Sequence, residues 1–135
     1  MADPRPVTAN LFTLDPEGPR LITGRCPGCD KPHFPAAPPC PYCGAEGCLT
    51  ELAGPTGRLW LWTAVTSSPP GYRGPVPYGF GIVELESGLR VVTRLTEARP
   101  ERLHAGQRMR LVATPLYTDE EGRPVLAYAF APEGS

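Results

Sequence analysis

Apolar and polar positions divide this chain into two parts. Beyond Thr56 they alternate in short runs, each ended by glycine, proline or an acidic turn, which is the signature of β-strands. Residues 57–67 are rich in Leu, Trp, Thr and Val, types that suit a pleated surface. Alternation puts Leu59, Leu61, Thr63 and Val65 on one side and Trp60, Trp62, Ala64 and Thr66 on the other. Both faces are largely apolar, so this strand is expected to be central or covered twice. A loop rich in Pro and Gly follows at 68–77. A second strand is expected at 78–86 and a hairpin turn at Ser87-Gly88. A third strand at 89–96 alternates Leu89, Val91, Thr93 and Leu95 against Arg90, Val92 and Arg94. A fourth at 107–116 turns Met109, Leu111 and Ala113 inward, and after an acidic turn at 119–122 a fifth runs over 124–131.

One helical turn is expected, within 97–106, with Pro100 at its first position and Gly106 at its end. Nowhere does the three-to-four-residue apolar period persist over the roughly twelve residues a packed helix needs. Five strands, a first strand long enough to bend and serve two edges, and a helical turn between the third and fourth strands indicate a mainly β fold. The expected barrel is the five-stranded Greek key called the OB-fold, over residues 53–131. An SH3-like barrel or a small sandwich gives a similar string.

The pattern before Thr56 is different. Residues 1–9 are polar and proline-bearing and are expected to fray. Residues 10–14 and 19–25 flank Asp15-Pro16-Glu17-Gly18, a turn sequence, and form a hairpin leading into Cys26-Pro27-Gly28-Cys29. A second hook, Cys40-Pro41-Tyr42-Cys43-Gly44, follows ten residues after the first. Two Cys-x2-Cys hooks facing each other offer the tetrahedral four-sulfur site of structural zinc. Four thiolates fill every coordination position and leave none for a substrate. Iron in the same cage and two disulfides are the competing readings. Gly28 and Gly44 are expected at the points where each hook turns back, with positive φ. Phe34, between the hooks, is expected to pack beneath the metal loops. Cys48 falls outside either hook and reads as a spare thiol. A strand at 49–52 leaves the module, giving a first unit at 10–52.

Nineteen prolines and fifteen glycines fit many short elements joined by turns, and a net charge of −1 supplies no basic field to gather phosphates. No run is long and apolar enough for a membrane helix, and metal-held cysteines fit the cytoplasm. His33, His104 and the Glu84/Glu86 pair make no catalytic constellation, and no nucleophile, metalloprotease or P-loop motif is present.

The ordered set Arg25-Cys26-x2-Cys29, Phe34-Pro35, Cys40-Pro41-x-Cys43-Gly44, Gly57-x-Leu59, Trp62-Thr63-x-Val65, Pro77-Tyr78, Val83-Glu84-Leu85, Gly88-Leu89-Arg90 and Gly106-x2-Met109-Arg110-Leu111 carries a resemblance. It resembles the acyl-CoA-associated family that fuses a rubredoxin-like zinc ribbon to an OB-fold, long classed as a domain of unknown function. The resemblance spans about residues 10–131. It implies a non-catalytic, zinc-binding accessory subunit that docks on a thiolase-superfamily enzyme such as a thiolase, an acyltransferase or a lipid-transfer-type aldolase. It also implies support for acyl-CoA binding, and a heterotetramer if the partner is a dimer. Many relatives open with two helices, whereas this chain is expected to open with a hairpin.

The loop at 69–80 is the expected interface, because stiff segments bearing aromatics and arginine lose little entropy on docking. Tyr72, Arg73, Pro77, Tyr78, Arg90 and Arg94 are the candidate partner- or CoA-binding residues, the arginines facing phosphates. Phe80 is expected to fill the core. The alternative function is single-stranded nucleic-acid binding, with Trp60, Trp62, Tyr72, Tyr78 and Phe80 as stacking platforms. The charge balance weighs against it.

Overall fold

The computed structural model describes residues 4–7, 11–14, 18–36, 39–72, 74 and 76–133. Its strands are β1 (Arg5–Pro6), β2 (Ile22–Arg25), β3 (Pro32–His33), β4 (Leu49–Leu52), β5 (Thr56–Val65), β6 (Tyr78–Leu85), β7 (Arg90–Leu95), β8 (Arg108–Thr118) and β9 (Pro124–Pro132). The only helical element among the described residues is a 3-10 turn at Pro100–Arg102, with Pro100 in its first turn as expected. It ends at Leu103. Gly106 belongs to the next turn, where its φ is 81°.

Strands β5 to β9 close a five-stranded barrel in the order β5-β6-β7-β9-β8, with β8 returning to β5. All its pairings are antiparallel except β7 with β9, where Arg94 and Leu95 align in parallel with Ala129 and Phe130. That circuit is the OB-fold. β5 serves two edges, pairing with β6 over its length and with β8 through Thr56, Gly57 and Arg58.

The simple alternation read along β5 fails at one point. The register against β6 shifts between Leu59 and Leu61, a bulge that leaves Trp60 as the extra residue. Leu59 is buried, but Leu61 aligns with the outward Ile82 and is exposed. Beyond the bulge Trp62 packs on the core, held by its indole N–H donating to the Pro100 carbonyl at 3.2 Å. Phe80 also departs from expectation, pointing outward and exposed. The inward positions beside it are Gly79 and Gly81, where the backbone of neighbouring strands lies too close for any side chain. A Cβ on Gly81 would meet the Leu61 carbonyl, and one on Gly79 the Glu97 carbonyl.

The core joins Leu59, Val83, Leu85, Val91, Leu95, Met109, Leu111 and Phe130 of the barrel to Leu103 after the 3-10 turn. Phe12 and Leu21 of the N-terminal part belong to the same cluster. They come from a minimal hairpin: Phe12 bridges Leu21, and the Thr13 amide donates to the Arg20 carbonyl at 2.9 Å. Asp15, Pro16 and Glu17 of the expected turn lie outside the described residues. β3, β2 and β4 form a separate antiparallel sheet.

The segment expected to fray carries structure. β1 runs parallel to β9, Arg5 opposite Val125, and the Val7 amide donates to the Leu126 carbonyl at 2.7 Å. Arg5 Nε donates to the Asp119 carboxylate at 2.8 Å. A backbone edge and a partly exposed ion pair hold a polar stretch that no hydrophobic pattern announces.

Candidate metal centre and docking face

The two hooks fold by one recipe. In the first, the Asp30 amide donates to the Cys26 carbonyl at 2.8 Å and the Cys26 amide to the Lys31 carbonyl at 3.2 Å. In the second, the Gly44 amide donates to the Cys40 carbonyl at 2.9 Å and the Cys40 amide to the Ala45 carbonyl at 2.8 Å. The positive φ falls on the same step of each, 58° at Asp30 and 77° at Gly44. Gly28 does not carry it, so the turn expected there lies two residues later. Amides also donate to sulfur: Gly28 and Cys29 to Cys26 Sγ at 3.3 and 3.4 Å, and Tyr42 to Cys40 Sγ at 3.4 Å.

These turns bring Cys26, Cys29, Cys40 and Cys43 together, with their sulfurs all within 4.8 Å of one another. Cys26 and Cys43 sulfurs stand 3.5 Å apart, and Cys29 and Cys40 sulfurs 3.7 Å. A disulfide requires about 2.05 Å. A tetrahedron with metal–sulfur bonds of about 2.3 Å has edges of about 3.8 Å. The donor set therefore fits a four-coordinate thiophilic cation. The acidities agree. The amides of Cys29 and Gly28 hold the Cys26 thiol below its ordinary range. Burial opposes ionisation of Cys40, but the amides of Cys43 and Tyr42 outweigh it and lower its pKa. At Cys43 the Ala45 amide favours the thiolate, yet crowding by the Cys26 and Cys40 sulfurs wins and pushes the thiol up. Four neighbouring thiolates cannot all ionise without a cation among them.

Cys48 stays outside the cluster, its sulfur 4.0 Å from the Ala45 carbonyl, and burial raises its thiol. His33 is buried on β3, its imidazole against Gly24, where any Cβ would collide with the ring. Phe34, between the hooks, packs against the barrel core. It meets Tyr128 of β9 edge-on, with centroids 5.6 Å apart, and Phe12 meets the same ring at 6.1 Å. The module is therefore fastened to the barrel by aromatics. Arg20 reinforces the joint by donating to the Ala53 carbonyl at 2.8 Å and the Leu52 carbonyl at 3.2 Å.

The outer face of β5-β6-β7 is the other notable surface. Register places Leu61, Ile82 and Val92 in one row and Thr63, Phe80 and Arg94 in the next. Leu61 and Val92 are both 54% exposed, and Trp60 and Phe80 are exposed beside them. Arg90 covers Trp60, its guanidinium 3.7 Å from the ring centroid, and pairs with Glu84 at 3.0 Å. At the opposite end Arg94 lies 4.7 Å from the Tyr78 ring and 5.6 Å from the Tyr72 ring, and the two rings stand 5.1 Å apart. Pro77, Tyr78, Arg94, Thr96, Thr114 and Pro115 line a cavity of about 190 Å³ there.

Of the six candidate binding residues, Tyr72, Pro77, Tyr78 and Arg94 thus come together. Arg90 sits at the far end of the face, and Arg73 lies outside the described residues. The apolar row between them, Leu61, Ile82 and Val92, does not follow from alternation along β5, because the bulge at Trp60 turns Leu61 to the outer face. Gly79 and Gly81 carry the signal for the β6 part of it: glycine at alternate positions of an aromatic strand marks the crowded inner face. Of the candidate arginines, Arg90 pairs with Glu84 at 3.0 Å.

A sulfur-caged ribbon fastened to a closed five-stranded barrel defines the class: a rubredoxin-like zinc ribbon joined to an OB-fold. The family model described as ChsH2, rubredoxin-like zinc ribbon domain matches residues 18–47, and that described as ChsH2, C-terminal OB-fold domain matches 50–114. A DUF35 domain-containing scaffold protein of Pyrococcus furiosus is 33% identical over 116 residues, 84% of this chain and 83% of that protein. Benzoylsuccinyl-CoA thiolase subunit BbsA of Thauera aromatica is 27% identical over 116 residues, 86% and 78% of the two chains. A solved chain of the Ltp2-ChsH2(DUF35) aldolase superposes with a TM-score of 0.62 at 31% identity, over 84% of each chain. The chain belongs to the DUF35 family.

Proposed function

We propose that this chain is a non-catalytic accessory subunit that docks on a thiolase-superfamily enzyme and supports its handling of an acyl-CoA. The observation that carries the reading is the outer face of β5-β6-β7, where Leu61, Phe80 and Val92 stay exposed on a closed barrel and an arginine–aromatic stack stands at each end. Monomeric soluble proteins seldom leave such a row open, and aromatic and arginine anchors around an apolar centre are what interfaces use. The relatives support the kind of partner, since one is named as a thiolase subunit, others as scaffold proteins, and the similar structure as an Ltp2-ChsH2(DUF35) aldolase.

Cys26, Cys29, Cys40 and Cys43 hold a structural zinc ion, which fixes the ribbon without taking part in chemistry. Residues 10–52 and 53–131 act as the two units, the first fastening and the second docking. Tyr72, Pro77, Tyr78, Arg90 and Arg94 border the docking face on the partner or CoA side. The complex is a heterotetramer built on a dimeric partner in the cytoplasm. Co-expression with the product of a neighbouring thiolase-like reading frame tests this directly. The two chains are expected to co-purify, zinc to equal one per chain, and the isolated chain to turn over no acyl-CoA. Separate elution of the two chains, or turnover by this chain alone, defeats the reading.

A further inference from the structure

The ribbon sheet ends in an edge that nothing covers among the described residues. β4 pairs only with β2, in the order β3-β2-β4. The ladder fixes which way its backbone points. The Ala53 amide donates to the Leu21 carbonyl at 2.9 Å, which makes those two a hydrogen-bonded pair. Such pairs recur at every second residue of an antiparallel ladder, so Leu49 and Glu51 turn their peptide groups to β2, and Thr50 and Leu52 turn theirs outward. The Leu52 carbonyl takes the Arg20 guanidinium at 3.2 Å. The Leu52 amide and the amide and carbonyl of Thr50 meet no partner among the described residues. Thr50 is exposed, as are Leu49 at 60% and Leu52 at 47%. Natural sheets ordinarily shield an edge with lysine, proline, a bulge or a covering element, whereas leucines flank this one.

The cleft at the Leu52 end selects the kind of chain that fits. Leu52, Pro19, Pro55 and Leu111 line it together with Arg20 and Arg110, around a volume of about 400 Å³. Arg20 stands at the edge itself, through its bond to the Leu52 carbonyl. Arg110 is exposed and meets no carboxylate among the described residues. A strand added to β4 finds backbone partners at Thr50, apolar contact at Leu49 and Leu52, and two guanidinia where it reaches the cleft. A second copy of this chain fits worse. The register that satisfies Thr50 and Leu52 in both copies sets the two Glu51 carboxylates directly opposite each other.

We infer that the β4 edge binds an extended segment of the docked enzyme as a fourth strand of the ribbon sheet, with an acidic residue of that segment held by Arg20 and Arg110. This rests on the docking reading above and extends it from the barrel face to the ribbon.

Amide exchange read residue by residue, on the zinc-loaded chain alone and in its co-purified complex, tests the edge. In the free chain the Thr50 amide is expected to exchange near its intrinsic rate, while the Glu51 amide, bonded to β2, stays slow. In the complex the Thr50 and Leu52 amides are expected to slow by about a hundredfold. Thr50→Pro deletes only the outward amide, which an edge strand tolerates. It is expected to weaken the complex about tenfold with zinc content and Glu51 protection unchanged. Should that variant lose zinc, the exchange comparison on the unaltered chain still decides. Arg110→Glu is expected to weaken the complex by a similar factor through the acidic contact. A complex that forms with Thr50 still exchanging freely overturns the edge and leaves the docking reading standing, as does equal affinity of a zinc-loaded Thr50→Pro chain. Equal affinity of Arg110→Glu overturns the acidic contact. Thr50 protection in the free chain that grows with its concentration assigns the edge to a second copy and overturns this inference. Absence of any complex defeats the docking reading, and this inference with it.

Discussion

Asp30 and Gly44 occupy the same step of the two hooks, and both take a left-handed backbone. Glycine does so without cost, and aspartate is among the few other residues that adopt it readily. Glycine is the usual mark of such a turn, yet in the first hook the turn is set by where the i-to-i+4 amide closes on Cys26, and that step falls on Asp30 and not on Gly28. Gly81 makes the opposite point. It is needed for space, since the Leu61 carbonyl and the Trp62 Cα stand where its Cβ would go. Gly81→Ala is therefore expected to destabilise the barrel by about 1–3 kcal/mol. Gly54→Ala, with nothing within 4 Å of the added Cβ, is expected to stay within about 0.5 kcal/mol of the parent. Denaturant unfolding of the two variants checks both, and equal midpoints would refute the crowding argument.

At the scale of elements, the ribbon sheet β3-β2-β4 has few apolar residues of its own and is closed by its four sulfurs and by Phe12, Leu21 and Phe34 on the barrel. Cys40→Ser is expected to lose the metal, to melt this sheet and to leave the chain insoluble or unable to retain a partner. Cys48→Ser, outside the cluster, is expected to keep one zinc per chain. Elemental analysis beside far-UV circular dichroism separates the two outcomes.

β1 depends on a different device. Asp119 is held below the usual carboxylate range, first by the Arg5 side chain and then by the Arg123 amide. A depressed carboxylate adds stability that is fully present above its unfolded pKa and is lost as the pH falls through the folded one. Amide exchange at Val7 is therefore expected to speed up as the pH is taken below about 4, after correction for intrinsic exchange, and Asp119→Asn to give the same fast exchange at neutral pH. Unchanged protection in Asp119→Asn would show that the backbone pairing to Leu126 suffices alone.

Over the whole molecule, the circuit pairs each of β5 to β9 on both sides, which favours association of the barrel through a face. The open face is the row through Leu61, Ile82 and Val92. Leu61→Asp and Val92→Asp are expected to abolish co-purification with the thiolase-like partner while the melting temperature holds, because both side chains are already exposed. Retention of the complex in both variants would move the docking surface elsewhere. No helix among the described residues is long and apolar enough to cross a membrane.

Spacing alone determined the sulfur cage, because two short hooks can bring four ligands together whatever surrounds them. Alternation alone determined the five barrel strands and the inward sets on β7 and β8, since Val91, Thr93, Leu95, Met109 and Leu111 are buried as their pattern requires. The exposed face, the β1 edge and the Arg94 cluster were decided only in three dimensions. A single extra residue at Trp60 reverses the sidedness of the rest of β5, and a bulge has no composition of its own. Arg5 and Asp119 stand 114 residues apart, and Arg94 gathers rings from a loop and another strand. Local patterns encode which face a strand hides, whereas the partners across a closed barrel are fixed by its circuit.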